Sequence, residues 1–120
     1  MKQTKNKETG DRGEELACRM LAEKGMEIVE RNYRYGKGEI DIVAKDKDEL
    51  VFVEVKTRKN LEYGDPEYAL TKNKQAQVRK ICAAYLYDRS IEDTNCRIDV
   101  VAILFRGKEE PVMRHIENAF

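Results

Sequence analysis

The middle of the chain carries two runs in which hydrophobic and polar residues alternate, residues 39–44 and residues 50–58. Side chains two positions apart share one face of a β-strand, so this pattern predicts two strands. Between the runs lies a polar stretch, residues 45–49, which is typical of a hairpin turn. We therefore expect an antiparallel hairpin whose turn is centred on Asp46 and Lys47.

The charged residues of this hairpin are predicted to share a face. With the expected turn, Asp41 lies opposite Phe52. Glu39 then lies opposite Glu54. Any tight turn with an even number of loop residues places Asp41, Glu54 and Lys56 on one face. The other face is aliphatic, with Ile40, Ile42, Ala44, Val51, Val53 and Val55. Buried carboxylates at the end of these two strands must be paired, hydrogen-bonded or bound to a cation. The alternative interpretation is that Asp41, Glu54 and Lys56 are solvated residues on a half-exposed strand, as a lone Glu-x-Lys pair would be.

Hydrophobic spacing along the rest of the chain predicts two helices and three further strands. The helices cover about residues 11–24 and 71–87, and the strands cover residues 26–35, 96–105 and 112–116. The order is α-β-β-β-α-β-β. Strands that are apolar on both faces need a helix layer on each side, so we predict an α/β fold with a central mixed sheet. Residues 10–120 form one domain in this scheme, after a flexible N-terminus at residues 1–9.

Composition narrows the class of protein. A chain of 120 residues is long enough for one domain with a buried core. Charged residues make up 38% of it, but the 23 basic and 23 acidic residues cancel, which argues against non-specific coating of nucleic acid and still allows a local basic surface. No apolar run approaches the ~20 residues that span a bilayer. The polar N-terminus lacks a signal core, so we expect no membrane association and a cytoplasmic location.

The acids and the lysine have the chemistry of a metal-dependent phosphodiesterase. Phosphodiester hydrolysis needs an activated water and neutralisation of the charge on the phosphate, and a divalent cation supplies much of both. Asp41 and Glu54 are the candidate ligands, with the backbone carbonyl of Val55 as a third. An all-oxygen donor set favours Mg²⁺ or Mn²⁺. Lys56, two residues along the same face, is placed to orient the water or to stabilise the developing charge.

Two further acids are candidates for the same site. Glu14 lies in the first turn of the first predicted helix, from which it would reach the metal through water. The spacing Asp11-x-x-Glu14 equally fits a capping box, in which Glu14 serves the helix N-terminus instead. Glu39 shares the face of Asp41, where we expect it to support the ligands from a second shell or to tune them.

Basic residues flank the candidate site in the sequence. The flanking residues are Arg31, Arg34 and Lys37 before it, Arg58 and Lys59 after it, and Lys72, Lys74, Arg79 and Lys80 on the second predicted helix. In a chain with this many charges, most such residues belong to solvated surfaces. Their position around the site nevertheless predicts contacts with the phosphates of nucleic acid, DNA in particular.

These motifs together resemble a known family. Its carriers are Thr9-Gly10-Asp11, Gly13-Glu14, Gly38-Glu39-Ile40-Asp41-Ile42, Val51-Phe52-Val53-Glu54-Val55-Lys56-Thr57-Arg58, Tyr63-Gly64, Lys74-Gln75, Arg97-Ile98-Asp99-Val100-Val101-Ala102 and Asn118-Ala119-Phe120. The chain resembles the YraN-like family of uncharacterised bacterial proteins, within the PD-(D/E)XK nuclease superfamily, and is similar to archaeal Holliday-junction resolvases. The resemblance extends over residues 9–120.

The resemblance implies a restriction-endonuclease-like α/β/α sandwich. It gives Asp41, Glu54 and Lys56 the nuclease roles and makes Glu14 the acid of the first helix. Here Ile40-Asp41 stands where the superfamily has proline-aspartate, and this departure leaves the carboxylate in place.

The function expected from these residues is a Mg²⁺- or Mn²⁺-dependent endonuclease acting on DNA, with branched or flapped structures in repair or recombination as the substrates that the resemblance suggests. It also implies that Lys74-Gln75 contacts substrate phosphate and that the protein is a homodimer, as resolvases that cut two strands are. Arg97 and Asp99 are expected to form a structural ion pair. The alternative is a non-enzymatic module that kept the fold and binds nucleic acid or a protein, and an RNase would use the same site.

Overall fold

The computed structural model describes residues 2–59 and 71–119, with side chains from residue 9 onward. Its elements are α1 Lys2–Glu23, β1 Glu27–Tyr35, β2 Gly38–Asp46, β3 Glu49–Arg58, α2 Lys72–Asp88, β4 Cys96–Arg106 and β5 Glu109–Ile116. The predicted order of elements is confirmed. The Tyr63-Gly64 motif lies outside the described residues. Within the described ranges, no helix is long and apolar enough to cross a bilayer.

One five-stranded sheet organises the fold, with its strands in the order β1-β2-β3-β4-β5. The strands β3 and β4 run parallel, and every other neighbouring pair is antiparallel. A parallel pair needs a crossover connection, and the segment that contains α2 provides it. The predicted mixed sheet is therefore confirmed.

Each face of the sheet is covered by one helix and encloses its own core. The core on the α1 side joins Leu21 of the helix to Ile42 and Val53 of the sheet. The core on the α2 side joins Tyr85 to Phe52. Neighbouring residues of β3 thus enter opposite cores, as the alternation of a strand requires. This is the α/β/α arrangement that the sequence predicts.

The helix α1 is longer than predicted. It begins at Lys2, nine residues before the expected start at Asp11. Residues 2–8 are polar, so hydrophobic spacing could not detect this part of the helix. Because Asp11 and Glu14 lie inside α1, the capping-box interpretation of Glu14 is wrong, and its carboxylate does not serve the helix N-terminus. The flexibility expected for residues 1–9 stays a prediction.

The β2–β3 hairpin has a different turn from the one expected. Asp46 pairs with Glu49, so Lys47 and Asp48 form the turn. The predicted register, in which residue 44 faced residue 49, is therefore wrong by two positions. Lys47 has a φ of +56°, a left-handed conformation that two-residue hairpin turns commonly use. A shift of two positions moves no side chain to the other face, so the predicted pattern of faces survives near the turn.

Candidate metal centre

The ladder between β2 and β3 stops short of the predicted acids. Its last pair is Ile42 with Val53. Beyond that pair, a side chain replaces the backbone partner, because the Val55 N–H donates to Oδ2 of Asp41 at 2.8 Å. Asp41 therefore lies in a gap between the two strands, and not simply on a shared face with Glu54 as predicted.

The alternation of β2 breaks at the same point. Ile42 packs in the α1-side core, but Ile40 packs in the α2-side core. The prediction that both belong to one aliphatic face is therefore wrong. On β1, Asn32 lies between the residues that pair with Ile40 and Ile42, and it has a φ of +57°. A regular β-strand does not contain this left-handed conformation, so both β1 and β2 are irregular beside Asp41.

Three carboxylates converge at this irregularity. One oxygen from each of Glu14, Glu39 and Asp41 lies within 4.8 Å of the other two. Glu14 and Glu39 each have a buried oxygen without a hydrogen-bond partner. Burial raises the pKa of Glu14, and the nearby charges of Asp41 and Glu39 raise it further. The group is therefore one in which negative charge accumulates.

Glu54 is the most buried acid of the site. It is 5% exposed, and its Oε1 has no hydrogen-bond partner. It shares the α2-facing side of β3 with Phe52. Burial, followed by the charge of Asp41, raises the pKa of Glu54 to about 7. Burial also raises the pKa of Asp41, and the hydrogen bond from Val55 offsets part of that rise.

Two lysines lie beside Glu54. Lys56 is the next residue on that face of β3, where burial lowers its pKa and the charge of Glu54 partly restores it. The charge of Lys74, in the first turn of α2, offsets part of the burial-driven rise in the pKa of Asp41 and Glu54. The structure thus brings Lys74 to the predicted nuclease residues.

The other predicted nucleic-acid contacts form two flanks of the site. On one flank, Nε of Arg34 lies 3.5 Å from Oε2 of Glu39. On the other, Arg58 is half-buried further along the α2-facing side of β3. Lys72 is exposed and Gln75 is half-buried in the first turn of α2.

The backbone of Val55 completes a set of oxygen donors. The N–H and C=O groups of one strand residue point to the same side, and the Val55 N–H points into the gap. Its carbonyl therefore faces the gap as well. The carboxylates of Glu14, Glu39 and Asp41 converge within 4.8 Å, and Glu54 and the Val55 carbonyl adjoin Asp41 without belonging to that group. Mg²⁺ and Mn²⁺ prefer such hard oxygen ligands, and a cation would satisfy the buried oxygens that accept no hydrogen bond, although those of Glu14 and Glu39 also lie within 4 Å of an arginine.

Glu39 and Arg31 have larger parts in the site than predicted, since Glu39 was expected only to support the ligands and Arg31 only to flank the site. The structure puts Glu39 among the three converging carboxylates, and Nη2 of Arg31 lies 3.7 Å from Oε1 of Glu14. Alternation did place Glu39 near Asp41. It could not show that the irregularity in β2 and the approach of α1 bring a third carboxylate to the pair.

A glycine allows α1 to approach the sheet beside this site. A Cβ atom on Gly13 would lie 2.3 Å from Cγ2 of Thr57, whereas a Cβ on Gly10 of the same helix would meet nothing within 4 Å. We expect Gly13→Ala to lower the free energy of unfolding by about 1–3 kcal/mol through overpacking. We expect Gly10→Ala to raise it by up to about 1 kcal/mol, because alanine is the better helix former.

Urea unfolding of both variants measures this difference. The Thr57→Ser change removes the colliding methyl group, so it should restore most of the stability lost in Gly13→Ala. If Gly13→Ala and Gly10→Ala behaved alike, the close approach of α1 to β3 would not be present in the folded protein.

The family profile and the related sequences that match this chain all point to the same protein family. The sequence profile of the uncharacterised protein family UPF0102 matches residues 13–103. A "UPF0102 protein" of Trichlorobacter lovleyi is 44% identical over 96% of this chain and 91% of its own length. The "UPF0102 protein RHA1_ro06551" of Rhodococcus jostii is 46% identical over 92% of this chain and 94% of its own length.

A solved structure gives a weaker likeness. The structure of Pyrococcus furiosus SfsA in complex with Ca²⁺ aligns with a TM-score of 0.45 and 14% sequence identity. The alignment covers 93% of this chain and 63% of that chain, so this chain spans less than two-thirds of its length.

Proposed function

This chain belongs to the uncharacterised protein family UPF0102, and we propose that it is a divalent-metal-dependent nuclease that hydrolyses phosphodiester bonds of DNA. One observation carries the proposal. Glu54 is almost fully buried, has an oxygen without a hydrogen-bond partner, and lies close enough to Asp41 for that charge to raise its pKa. Buried acids grouped in this way are unfavourable unless a cation joins them, and such groups are typical of functional sites.

The proposed cation is Mg²⁺ or Mn²⁺, with Asp41 at the centre of its ligands. Glu54 and the Val55 carbonyl would hold it from the α2 side, and Glu14 and Glu39 would contribute from the α1 side. When bound, the cation supplies neutralisation of phosphate charge and a lower pKa for the attacking water.

Lys56 has a distinct part in the proposed reaction. Its half-buried ammonium group lies on the same side of β3 as Glu54 and offers up to three N–H donors. These donors would orient the attacking water and stabilise the negative charge that develops on the scissile phosphate. Because burial lowers the pKa of Lys56, this group gives up a proton more readily than a surface lysine, which suits transfer to the leaving oxygen.

Recognition would go through the sugar–phosphate backbone. Both described helices pack one face against the sheet. Basic residues around the gap suit contacts with phosphates, which depend on the shape of the nucleic acid and not on its sequence. We therefore propose branched or flapped DNA as the substrate and a homodimer as the form that would cut two strands.

A cleavage assay tests this function. Labelled four-way, flapped and single-stranded DNA, and single-stranded RNA, would be incubated with Mg²⁺, with Mn²⁺ and with EDTA. The proposal expects cleavage of at least one DNA in either cation, no cleavage in EDTA, and none by Asp41→Asn. Cleavage of RNA alone would assign the site to an RNase. Binding of DNA without cleavage in either cation would favour the rival function, a non-enzymatic nucleic-acid-binding module.

A further inference from the structure

We infer that one nucleic-acid strand crosses the gap from the β1–β2 hairpin to the start of α2, and that Arg34 and Lys37 bind the phosphate on the hairpin side. The inference rests on the proposed function, because it takes the carboxylates of the gap as the point of cleavage. It adds a binding surface and a path for the strand across the protein, and it gives Lys37 a role in substrate binding.

A cavity at the hairpin is the first support. It has a volume of about 440 Å³ and is lined by Arg34, Gly36, Lys37, Gly38 and Glu39. This volume lies within the range of about 300–1,000 Å³ that is usual for ligand pockets. Gly36 has open space beside it, since a Cβ there would meet nothing within 4 Å, whereas Gly38 is packed against Ile81 of α2. Arginine offers a planar fork of donors to phosphate and lysine offers a mobile positive charge, so the lining suits a phosphodiester group.

The cavity and the carboxylate group share a residue. Glu39 lines the cavity and is also one of the three carboxylates that converge near Asp41. Tyr33 and Ile40 pack in the α2-side core, so their neighbours Arg34 and Glu39 project from the opposite face of the sheet. A phosphate held by Arg34 is therefore next to the proposed cation on the α1 side.

The second flank lies across the gap, at the start of α2. Thr71 caps this helix by accepting a hydrogen bond from the Lys74 N–H, and Lys72 and Lys74 occupy the first turn. The positive end of the helix dipole adds to their charge. This flank is close to the start of β2, because a Cβ on Gly38 would lie 3.4 Å from Nε2 of Gln77, which is three residues from Lys74 on α2.

The hairpin flank lies on the α1 side of the sheet and the second flank on the α2 side, so the proposed strand runs around this end of the sheet past Asp41. It then places one phosphate at the hairpin, the scissile phosphate at the gap and a further phosphate at α2. This requires a continuous chain of nucleotides on both sides of the cut. The substrate class is therefore an internal phosphodiester bond of a polynucleotide strand, and not a terminal phosphate or a mononucleotide.

Two hairpins of the sheet, β1–β2 and β4–β5, supply a matched control. Lys37 follows Gly36, which has a φ of +60°, in the β1–β2 turn, and Lys108 follows Gly107, which has a φ of +64°, in the β4–β5 turn. Both lysines are exposed. Binding of a labelled single-stranded oligonucleotide would be measured against salt concentration for the wild type, Arg34→Gln, Lys37→Gln, Lys74→Gln and Lys108→Gln. EDTA would be present, so that binding is measured without cation and without cleavage.

Each of the first three variants is expected to weaken binding several-fold. Each should also reduce the slope of log affinity against log salt by about 0.7, the value for one phosphate contact on a single strand. Lys108→Gln should match the wild type. If Arg34→Gln and Lys37→Gln also matched it while Lys74→Gln did not, the hairpin subsite would be wrong and the proposed nuclease would stand. If the wild type bound no oligonucleotide, the strand path would be wrong as well, whatever cations the protein binds.

Discussion

The Glu54→Gln variant is expected to lose metal-dependent cleavage by about 10³-fold, because a metal ligand contributes several kcal/mol of transition-state stabilisation. The same variant should be more stable than the wild type when no cation is present. The two effects come from one cause. The carboxylate of Glu54 is buried without a hydrogen-bond partner for Oε1, and an amide of the same shape carries no charge.

The raised pKa of Glu54 determines how the stability difference between the wild type and Glu54→Gln changes with pH. Burial and the charge of Asp41 raise the pKa of Glu54 from 4.5 to about 7 in the folded protein. The folded state therefore binds the extra proton between these values, and the stabilisation it brings is complete below about pH 4.5. It is lost as pH rises from about 4.5 through about 7, by about 3 kcal/mol. Glu54→Gln should show no such loss, so its advantage over the wild type should be greatest at pH 8.

Urea unfolding at pH 5 and pH 8, without and with Mn²⁺, measures this effect. Glu110→Gln, on exposed β5, is the matched control and should follow the wild type. Mn²⁺ should stabilise the wild type at pH 8 and have little effect on Glu54→Gln. A Glu54→Gln variant that was less stable than the wild type at pH 8 and still cleaved DNA would contradict the role assigned to this carboxylate.

The Asp99→Asn variant is expected to lose about 3–5 kcal/mol of unfolding free energy, the usual consequence of removing one partner from a buried charged network. Asp99 is fully buried on β4. Its carboxylate accepts hydrogen bonds from Nε of Arg97 at 3.0 Å, from Nε2 of His115 at 2.7 Å and from the backbone N–H of Asn118 at 2.9 Å. The ion pair predicted between Arg97 and Asp99 is therefore present, within a larger network.

The network connects β4 and β5 to the β2–β3 turn and to the end of α1. Nη1 of Arg97 bonds to Asp46 and Glu49, which flank the β2–β3 turn. His115 Nδ1 lies 2.9 Å from Nζ of Lys24, which follows α1. A protonated lysine only donates, so Nδ1 accepts and Nε2 carries the proton that is donated to the carboxylate on β4. An asparagine there cannot accept all three hydrogen bonds, and Arg97 would be left with uncompensated charge.

Chemical unfolding at pH 7 measures the loss, with Asp48→Asn in the exposed turn as the control. Burial alone would raise the pKa of Asp99, but the hydrogen bonds from His115 and Arg97 outweigh it and lower the pKa. The stability contributed by this carboxylate is therefore present at neutral pH and lost as pH falls through its folded pKa. The difference between wild type and Asp99→Asn should shrink in acid. A loss below about 1 kcal/mol at pH 7 would mean that the network is not formed.

Local pattern was enough to predict the elements and most of their faces. The alternation of residues 50–58 identified β3, whose Phe52 and Val53 enter opposite cores. The buried face of α2 could be predicted equally well, because Val78, Ile81 and Tyr85 recur at helical spacing and are buried. These features depend on side chains that repeat along one element, and a sequence records such repeats directly.

The details that build the site depend on contacts between elements. The face of Ile40 differs from that of Ile42 because β2 is irregular beside Asn32 of β1, and because Asp41 replaces a backbone partner of Val55. The convergence of Glu39 with Glu14 requires the close approach of α1 at Gly13. No repeat along a single segment encodes these contacts, so sequence reasoning found the acids and could not arrange them.

The central claim, that the carboxylates of the gap hold a divalent cation, is tested most directly by calorimetric titration of Mn²⁺. The wild type and Glu110→Gln should bind Mn²⁺ saturably, and Asp41→Asn/Glu54→Gln should not. Glu14→Gln and Glu39→Gln should each weaken binding, because their oxygens converge on Asp41. Absence of binding by the wild type up to the millimolar range, or equal binding by Asp41→Asn/Glu54→Gln, would contradict the claim.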